Sequence, residues 1–295
     1  MPRTDRLTDA HEQLVVAVTT LTTTTRGWRQ FLDVARRFHR YSLNNVLLIA
    51  AQRPDATRVA GYRAWQQLGR QVRKGEHGIA ILAPCTYRTS SHDEDSNDDR
   101  GDGEQRVLRG FKVVHVFDIA QTEGDPLPSP PVQLLDGETP AQLLDRLRDL
   151  IVAAGYTFAL GAMPAGHEDS LGVSDHTARA VIVRDDLPSA QRAKTAAHEL
   201  AHVLLHPLGS ERPRREVCEI EAESVAYLVC GEAGLTTDAY SLGYVATWAA
   251  GDIDLIRATG GRVLRCARQI LDGLPQSAIT DADRAQHDND DRRAA

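Results

Sequence analysis

The sequence predicts an α+β protein in two parts: an α+β N-terminal domain and a mainly helical C-terminal domain with a small sheet. Three observations predict it. At 295 residues the chain is long for one average domain and suits two. Apolar residues recur at helical spacing over most of the chain, whereas strand-like runs are confined to IAILAP, FKVVHVF, YTFAL and ARAVIVRDD. Between the first pair of runs and the second lies GDPLPSPPV, whose prolines 126, 128, 130 and 131 read as a linker. The expected boundaries are 1–125 for the first domain, 126–133 for the linker, 134–275 for the second domain and 276–295 for a disordered tail.

Taken in order, residues 8–22 read as a helix with Leu14, Val15, Val18 and Leu21 on one face. Residues 27–39 read as another, with Trp28, Phe31, Leu32 and Ala35 facing inward. YSLNNVLLIAAQR continues in helical spacing, with Ser42 as a cap and Pro54 as its stop. Gly61-Tyr62 opens a short helix through AWQQLG, and two extended runs follow around a Lys74-Gly75 turn. Residues 91–107 hold seven acids against two Arg and are expected to be a disordered loop. GFKVVHVFDIAQTEG then pairs with the IAILAP run. After the linker, Pro140 starts a helix with Leu143, Leu144, Leu147, Leu150 and Ile151 at core spacing, ended by Gly155. Ser189 is positioned to cap the helix AQRAKTAAHELAHVLLH, which Pro207 stops. A helix over about 215–231 follows, then a mostly helical stretch over 239–273, broken near Gly251-Asp252 and Gly260-Gly261.

Apolar residues at 42% and charged residues at 25% are ordinary for a globular protein and exclude a fibrous or wholly disordered chain. No apolar run approaches the roughly 20 residues that a membrane span needs. No apolar segment of secretory type follows the N-terminal Met, so a cytoplasmic setting is expected. Cys85, Cys218, Cys230 and Cys266 form no CxxC pair and read as buried thiols. The net charge of −7 conceals a split: residues 1–90 carry 14 Lys/Arg against 6 Asp/Glu, a balance of +8. A basic part within an acidic protein points to an anionic partner for the N-terminal domain.

The sharpest chemistry lies in HELAH. His198 and His202 are four apart, so a helix places both imidazoles on one face, one turn from each other. Two such rings can share one tetrahedral ion, and Glu199 can reach a water there as general base. The flanking Ala and Leu residues mark a buried helix, where His and Glu need partners. Position 208 is Leu, so a third His ten residues beyond the first is missing. His206 lies one further turn along and reaches the same ion poorly from a straight helix; a backbone contact or a place on the cleft wall suits it better. A gluzincin-type site takes its third ligand from a downstream helix. Glu219 is the expected ligand and Glu223, on the same face, accepts an imidazole N–H, with Glu223 as the alternative ligand. Glu221 points away from both. Two neutral His, one carboxylate and one water make an open site, hence one catalytic Zn2+ per chain. Tyr240 and Tyr244 are candidate oxyanion donors.

HELAHVLLH followed by AESVAYL resembles the ImmA/IrrE-type metallopeptidases. YSLNNVLLIAAQ, GYRAWQQLGRQVRKGEHGIAIL, FKVVHVFDIAQTEG and YVATWAAGDIDLIRATGGRVLRCARQIL extend the resemblance to the ArdC-type antirestriction proteins over most of residues 8–273. That resemblance implies a single-stranded DNA-binding domain joined to a zincin-like metallopeptidase domain. It also implies a role in protecting incoming mobile DNA from restriction. The chain departs from the family pattern in its short gap between His202 and Glu219 and in the acidic insertion 91–107.

For DNA, Arg63, Arg70, Arg73 and Lys74 surround Tyr62 and Trp65. Cations for phosphates interleaved with rings for bases suit a single strand. Tyr41 and Asn45 are expected to serve the local fold. The leading expectation is thus a metalloendopeptidase cutting a protein at or near single-stranded DNA. Two alternatives stand beside it: a passive DNA-binding protein with a non-proteolytic metal site, and an ImmA-like regulatory peptidase that cleaves a repressor. An intact Glu199 favours the first, because a structural site has no use for a general base.

Overall fold

A computed structural model describes residues 24–88, 106–125, 140–209, 213–235 and 252–274, with isolated positions 12, 14 and 16. The expectations for most of 8–22, the linker 126–133, residues 236–251 with Tyr240 and Tyr244, and the tail 276–295 lie outside these residues. The architecture is α+β, with small sheets and a helical C-terminal region. No helix among the described residues is long and apolar enough to cross a membrane.

Helix α1 (Thr25–Arg37) starts at Thr24, whose side chain accepts from Gly27 N at 3.0 Å. Its apolar stripe Trp28, Phe31, Leu32 and Ala35 is buried, as its spacing predicts. Helix α2 (Leu43–Gln52) is capped by Ser42, whose hydroxyl accepts from Asn45 N at 3.4 Å. It packs on a three-stranded antiparallel sheet ordered β1 (Val59–Gly61), β4 (Arg106–Asp118), β3 (Ile79–Arg88). As an edge strand, β3 exposes unpaired backbone groups. Asn45 and Gln52 cover that edge: Asn45 bonds Leu82 N and O, and Gln52 bonds Ala80 N and O, all at 2.9 Å. Asn45 therefore serves the fold.

Helix α3 (Tyr62–Gln67) leads into β2 (Arg70–Val72). β2 and β3 flank the Lys74-Gly75 turn but do not pair with each other; β2 pairs with β5 (Thr122–Gly124). The long β3–β4 hairpin reaches Arg88↔Arg106, so Arg106 and Val107, expected in the acidic loop, belong to a strand. Alternation in Arg-Val-Leu supports that strand whatever the charge of the residues before it.

The second part holds helix α4 (Pro140–Ala153), then β6 (Thr157–Leu160), β7 (Gly172–Asp175) and β8 (Ala180–Val183) in the order β6-β8-β7. β6 is parallel and β7 antiparallel to β8. Helices α5 (Ser189–Leu205), α6 (Arg215–Glu232) and α7 (Ile253–Gly273) follow. Ser189 is not the cap of α5: Pro188 holds that position, and no side chain caps it. The expected break at Gly260-Gly261 is also absent, since α7 runs through both. These glycines serve packing, because a Cβ on Gly260 would lie 3.1 Å from Leu43 Cδ1.

One buried cluster includes α1, α2, α6 and α7. Trp28 Nε1 donates to Ser224 Oγ at 3.0 Å, and the Tyr227 hydroxyl donates to Asp33. Arg268 donates to the His39 and Tyr41 carbonyls. The N-terminal helices thus brace α6 and α7. All four cysteines are free; Cys218, Cys230 and Cys266 are buried, and burial, aided by Glu221, pushes the Cys266 thiol up to about 12.

Candidate metal centre and nucleic-acid face

Helix α5 exists because Ala193, Ala196, Ala197, Leu200 and Ala201 bury one face against the neighbouring elements. The same turns bring His198, Glu199 and His202 to one end of the sheet. Helix α6 lies alongside and presents Glu219 and Glu223. His198 Nε2 and His202 Nε2 are 3.1 Å apart. Glu219 Oε2 lies 3.5 Å from the first and 3.7 Å from the second. A tetrahedral ion with bonds of about 2.0–2.1 Å has ligand–ligand edges of about 3.3–3.4 Å. The observed triangle brackets that value, so these three donors fit a divalent cation.

The outward nitrogens of the two rings also have partners. His198 Nδ1 is 3.3 Å from Glu223 Oε2, and Lys194 Nζ holds the other Glu223 oxygen at 2.8 Å. His202 Nδ1 is 3.1 Å from His206 Nδ1. His206 neither bonds a backbone group nor lines a cleft; it is buried against Glu221. Glu199 is buried beside the first strand residue of β7, where a Cβ on Gly172 would lie 3.0 Å from Glu199 Oε1 and 2.5 Å from Thr195 Cγ2. Sequence reasoning missed Gly172, Lys194 and the Glu221–Arg262 pair. The only sequence signal for Gly172 was a glycine preceding a short polar strand.

The electrostatics favour positive charge here. Burial opposes the His198 cation, but hydrogen bonds to Glu219 and Glu223 and the charges of Glu199 and Glu223 outweigh it, raising His198 from 6.5 to about 9. His198 and His202 hold the Glu219 carboxyl well below the usual carboxylate range, against burial. A group raised on folding contributes stability that is complete below its unfolded value and lost as pH rises through its folded one. Metal-free protein is therefore expected to lose stability between pH 6.5 and about 9. Zinc affinity should rise over the same window, because binding displaces a proton. Urea titrations in chelator at pH 6 and 9 check the first expectation; equal midpoints would contradict it.

The N-terminal candidates divide. Trp65 is 2% exposed and its indole N–H donates to the Phe117 carbonyl at 2.8 Å. It is a core side chain, and the expectation that it stacks on a base is corrected: no ring face is open. Arg70 is a clamp on β5, donating to Thr122 Oγ1 at 2.8 Å and to the Thr122, Gly124 and Asp125 carbonyls. Arg73 binds Glu76 and the Ala120 carbonyl. Both guanidinium groups are engaged with the protein, Arg70 half-buried and Arg73 exposed. Tyr62, Arg63 and Lys74 are exposed. The Tyr62 ring meets Phe117 edge-on at 6.3 Å. Phe117 shares its β4 face with His115 and Phe111, both exposed, which the sequence analysis did not single out.

The family model for the N-terminal domain of anti-restriction factor ArdC matches residues 3–117. The IrrE N-terminal-like domain model of the M78 peptidases matches residues 159–236. An uncharacterized pXO2 protein of Bacillus anthracis is 24% identical over 74% of this chain and 42% of its own length. Protein y4eC of Sinorhizobium fredii is 28% identical over 63% and 61%, respectively. DNA primase TraC of Escherichia coli is 28% identical over 70% of this chain and 15% of its own length. The chain thus spans less than two thirds of these relatives. Crystal structures of the antirestriction protein ArdC from plasmid R388 share the fold at 22% identity. The metal-free form has a TM-score of 0.51 over 79% of this chain and 85% of that one. The Mn(II)-bound form has 0.50 over 81% and 86%. Residues 3–117 thus match the ArdC-type N-terminal domain and residues 159–236 the IrrE N-terminal-like domain, in an ArdC-like fold.

Proposed function

We propose that this chain is a zinc-dependent endopeptidase that binds single-stranded DNA in the cytoplasm and cleaves a protein associated with it, protecting incoming mobile DNA from restriction. The working parts are residues 1–125 for DNA and 134–275 for peptide hydrolysis. The observation that carries the reading is the convergence of His198 Nε2, His202 Nε2 and Glu219 Oε2 next to a buried Glu199. These three donors would hold one zinc per chain. When bound, the metal supplies Lewis acidity toward a peptide carbonyl and toward water. An imidazole-rich site favours zinc over manganese in the usual affinity order, although the R388 ArdC structure holds Mn(II).

The side chains of this protein then divide the work. Glu199 takes the proton of the attacking water at its carboxylate and returns it to the departing amine. Glu223, itself held by Lys194, accepts the His198 Nδ1–H and orients that ring. Among the described residues no strand covers the outer edge of β7, which runs past Glu199, so an extended peptide can add there by backbone pairing. Incubation of zinc-loaded protein with host lysate, with and without single-stranded DNA, tests the reading by the new protein termini it generates. Absence of any terminus specific to loaded protein would sink the proteolytic reading.

For the nucleic acid, the exposed rings Tyr62, His115 and Phe111 offer stacking surface, with Arg63 and Lys74 as the free cations named by the sequence. The TraC likeness adds a DNA-related relative. Tyr62→Ala is expected to weaken single-strand binding by about 1–3 kcal/mol. Lys74→Ala should reduce the salt slope by about one unit. Gel shifts across a salt series measure both; an unchanged affinity in Tyr62→Ala would remove this face from the interface.

A further inference from the structure

Behind His202 a second polar line runs into the protein. α5 ends at Leu205, and His206 is its C-cap, with φ −126 and ψ 46. This non-helical turn swings the His206 ring against His202, Nδ1 to Nδ1 at 3.1 Å. The other nitrogen, Nε2, lies 2.9 Å from Glu221 Oε2. Arg262 Nε donates to Glu221 Oε1 at 2.6 Å, and Arg262 Nη2 donates to Thr259 Oγ1 at 3.2 Å. The side chains of His206 and Glu221 are 0% exposed. Helices α5, α6 and α7 each contribute to this line.

The partners set the direction of each bond. The Glu221 carboxylate, paired with Arg262, only accepts, so His206 Nε2 is the donor there. In a neutral imidazole one ring nitrogen donates and the other accepts. His206 Nδ1 therefore carries a lone pair. Two Nδ1 atoms at 3.1 Å need one hydrogen between them, and it belongs to His202. The lone pair of His202 is then on Nε2, the atom that faces His198 and Glu219.

We propose that His206, held by Glu221 and Arg262, is a positioning residue that fixes His202 as its Nδ1–H tautomer and presents Nε2 as a ready metal donor. This rests on the metal-site reading above. It differs from the usual arrangement, in which a carboxylate or carbonyl accepts the outer N–H of a ligating His directly; here an imidazole is interposed and the carboxylate stands one ring further back.

Two variants of the full chain test it with zinc as the probe, in competition with a chelator. His206→Asn keeps an acceptor near the Nδ1 position and should bind zinc almost as tightly as the unaltered protein. His206→Gln carries its polar end out toward Glu221, withdraws the acceptor from His202, and should lose about 10–100-fold in zinc affinity. Equal zinc affinities for the two variants would overturn the proposal. Nitrogen NMR of the unaltered, metal-free chain needs no variant to fold. A protonated Nδ1 and bare Nε2 on His202 support the relay, and the opposite tautomer overturns it. An unaltered chain that binds no zinc would defeat the metal-site reading instead, while the nitrogen shifts still decide the tautomer.

Discussion

Glu199→Gln is expected to retain one zinc per chain and to lose peptide hydrolysis by about 10²–10⁴-fold, the usual contribution of a positioned general base. Gln is nearly isosteric, so the contact with Gly172 is preserved while the proton acceptor is lost. His202→Ala is expected to do the reverse at the first step: it removes one of three donors, so metal is lost and activity falls with it. Metal analysis after dialysis, run beside cleavage of a lysate-derived substrate, separates the two. A Glu199→Gln protein as active as its parent would show that hydrolysis does not use this carboxylate. A Glu219→Ala protein with full zinc affinity would overturn Glu219 as the third ligand; Glu223 could replace it only by leaving the Nδ1 side of His198, where its carboxylate now lies at 3.3 Å.

Trp65→Ala is expected to destabilise the protein by about 3–5 kcal/mol, the range for emptying a large buried aromatic site. The indole is 2% exposed and bridges α3 to the β4 backbone. Removing it opens a cavity and leaves the Phe117 carbonyl without its donor. Trp65→Phe should recover most of the volume but not the hydrogen bond, leaving a residual loss of about 1–3 kcal/mol. Urea unfolding with a tryptophan-independent signal, such as far-ultraviolet circular dichroism, gives both values. An unchanged midpoint in Trp65→Ala would return the ring to the surface and to the DNA. Under conditions where the variant remains folded, its single-strand affinity should match the parent.

The metal motif was legible because its geometry is local. Four-residue spacing on one helix delivers His198 and His202 to one side whatever the rest of the chain does, and the apolar flanks mark that helix as buried. Glu219 and Glu223 were legible for the same reason, as one face of a second helix. The pairing of FKVVHVF with IAILAP followed from alternation and from a connection that brings the two runs back together. β7 was not legible: Gly-Val-Ser-Asp is short and polar and becomes a strand by pairing with β8. Helix α7 passes through Gly260-Gly261, and Leu43, more than two hundred residues earlier, fills the space that a side chain at Gly260 would need.

The split between Tyr62 and Trp65 shows where local pattern ends. The two are three apart on a short helix, and their spacing places them on similar faces. Only the β4 backbone, arriving fifty residues later, accepts the Trp65 N–H and draws that ring inward, leaving Tyr62 half out. His206 makes the same point at the metal centre. In the sequence it is a third His at helical spacing. In the fold the helix stops beneath it, and its partners Glu221 and Arg262 come from two other helices. Residue type and period follow from short-range sterics and can be read from the chain. Which polar atom faces which partner depends on contacts between distant segments, and only their packing decides it.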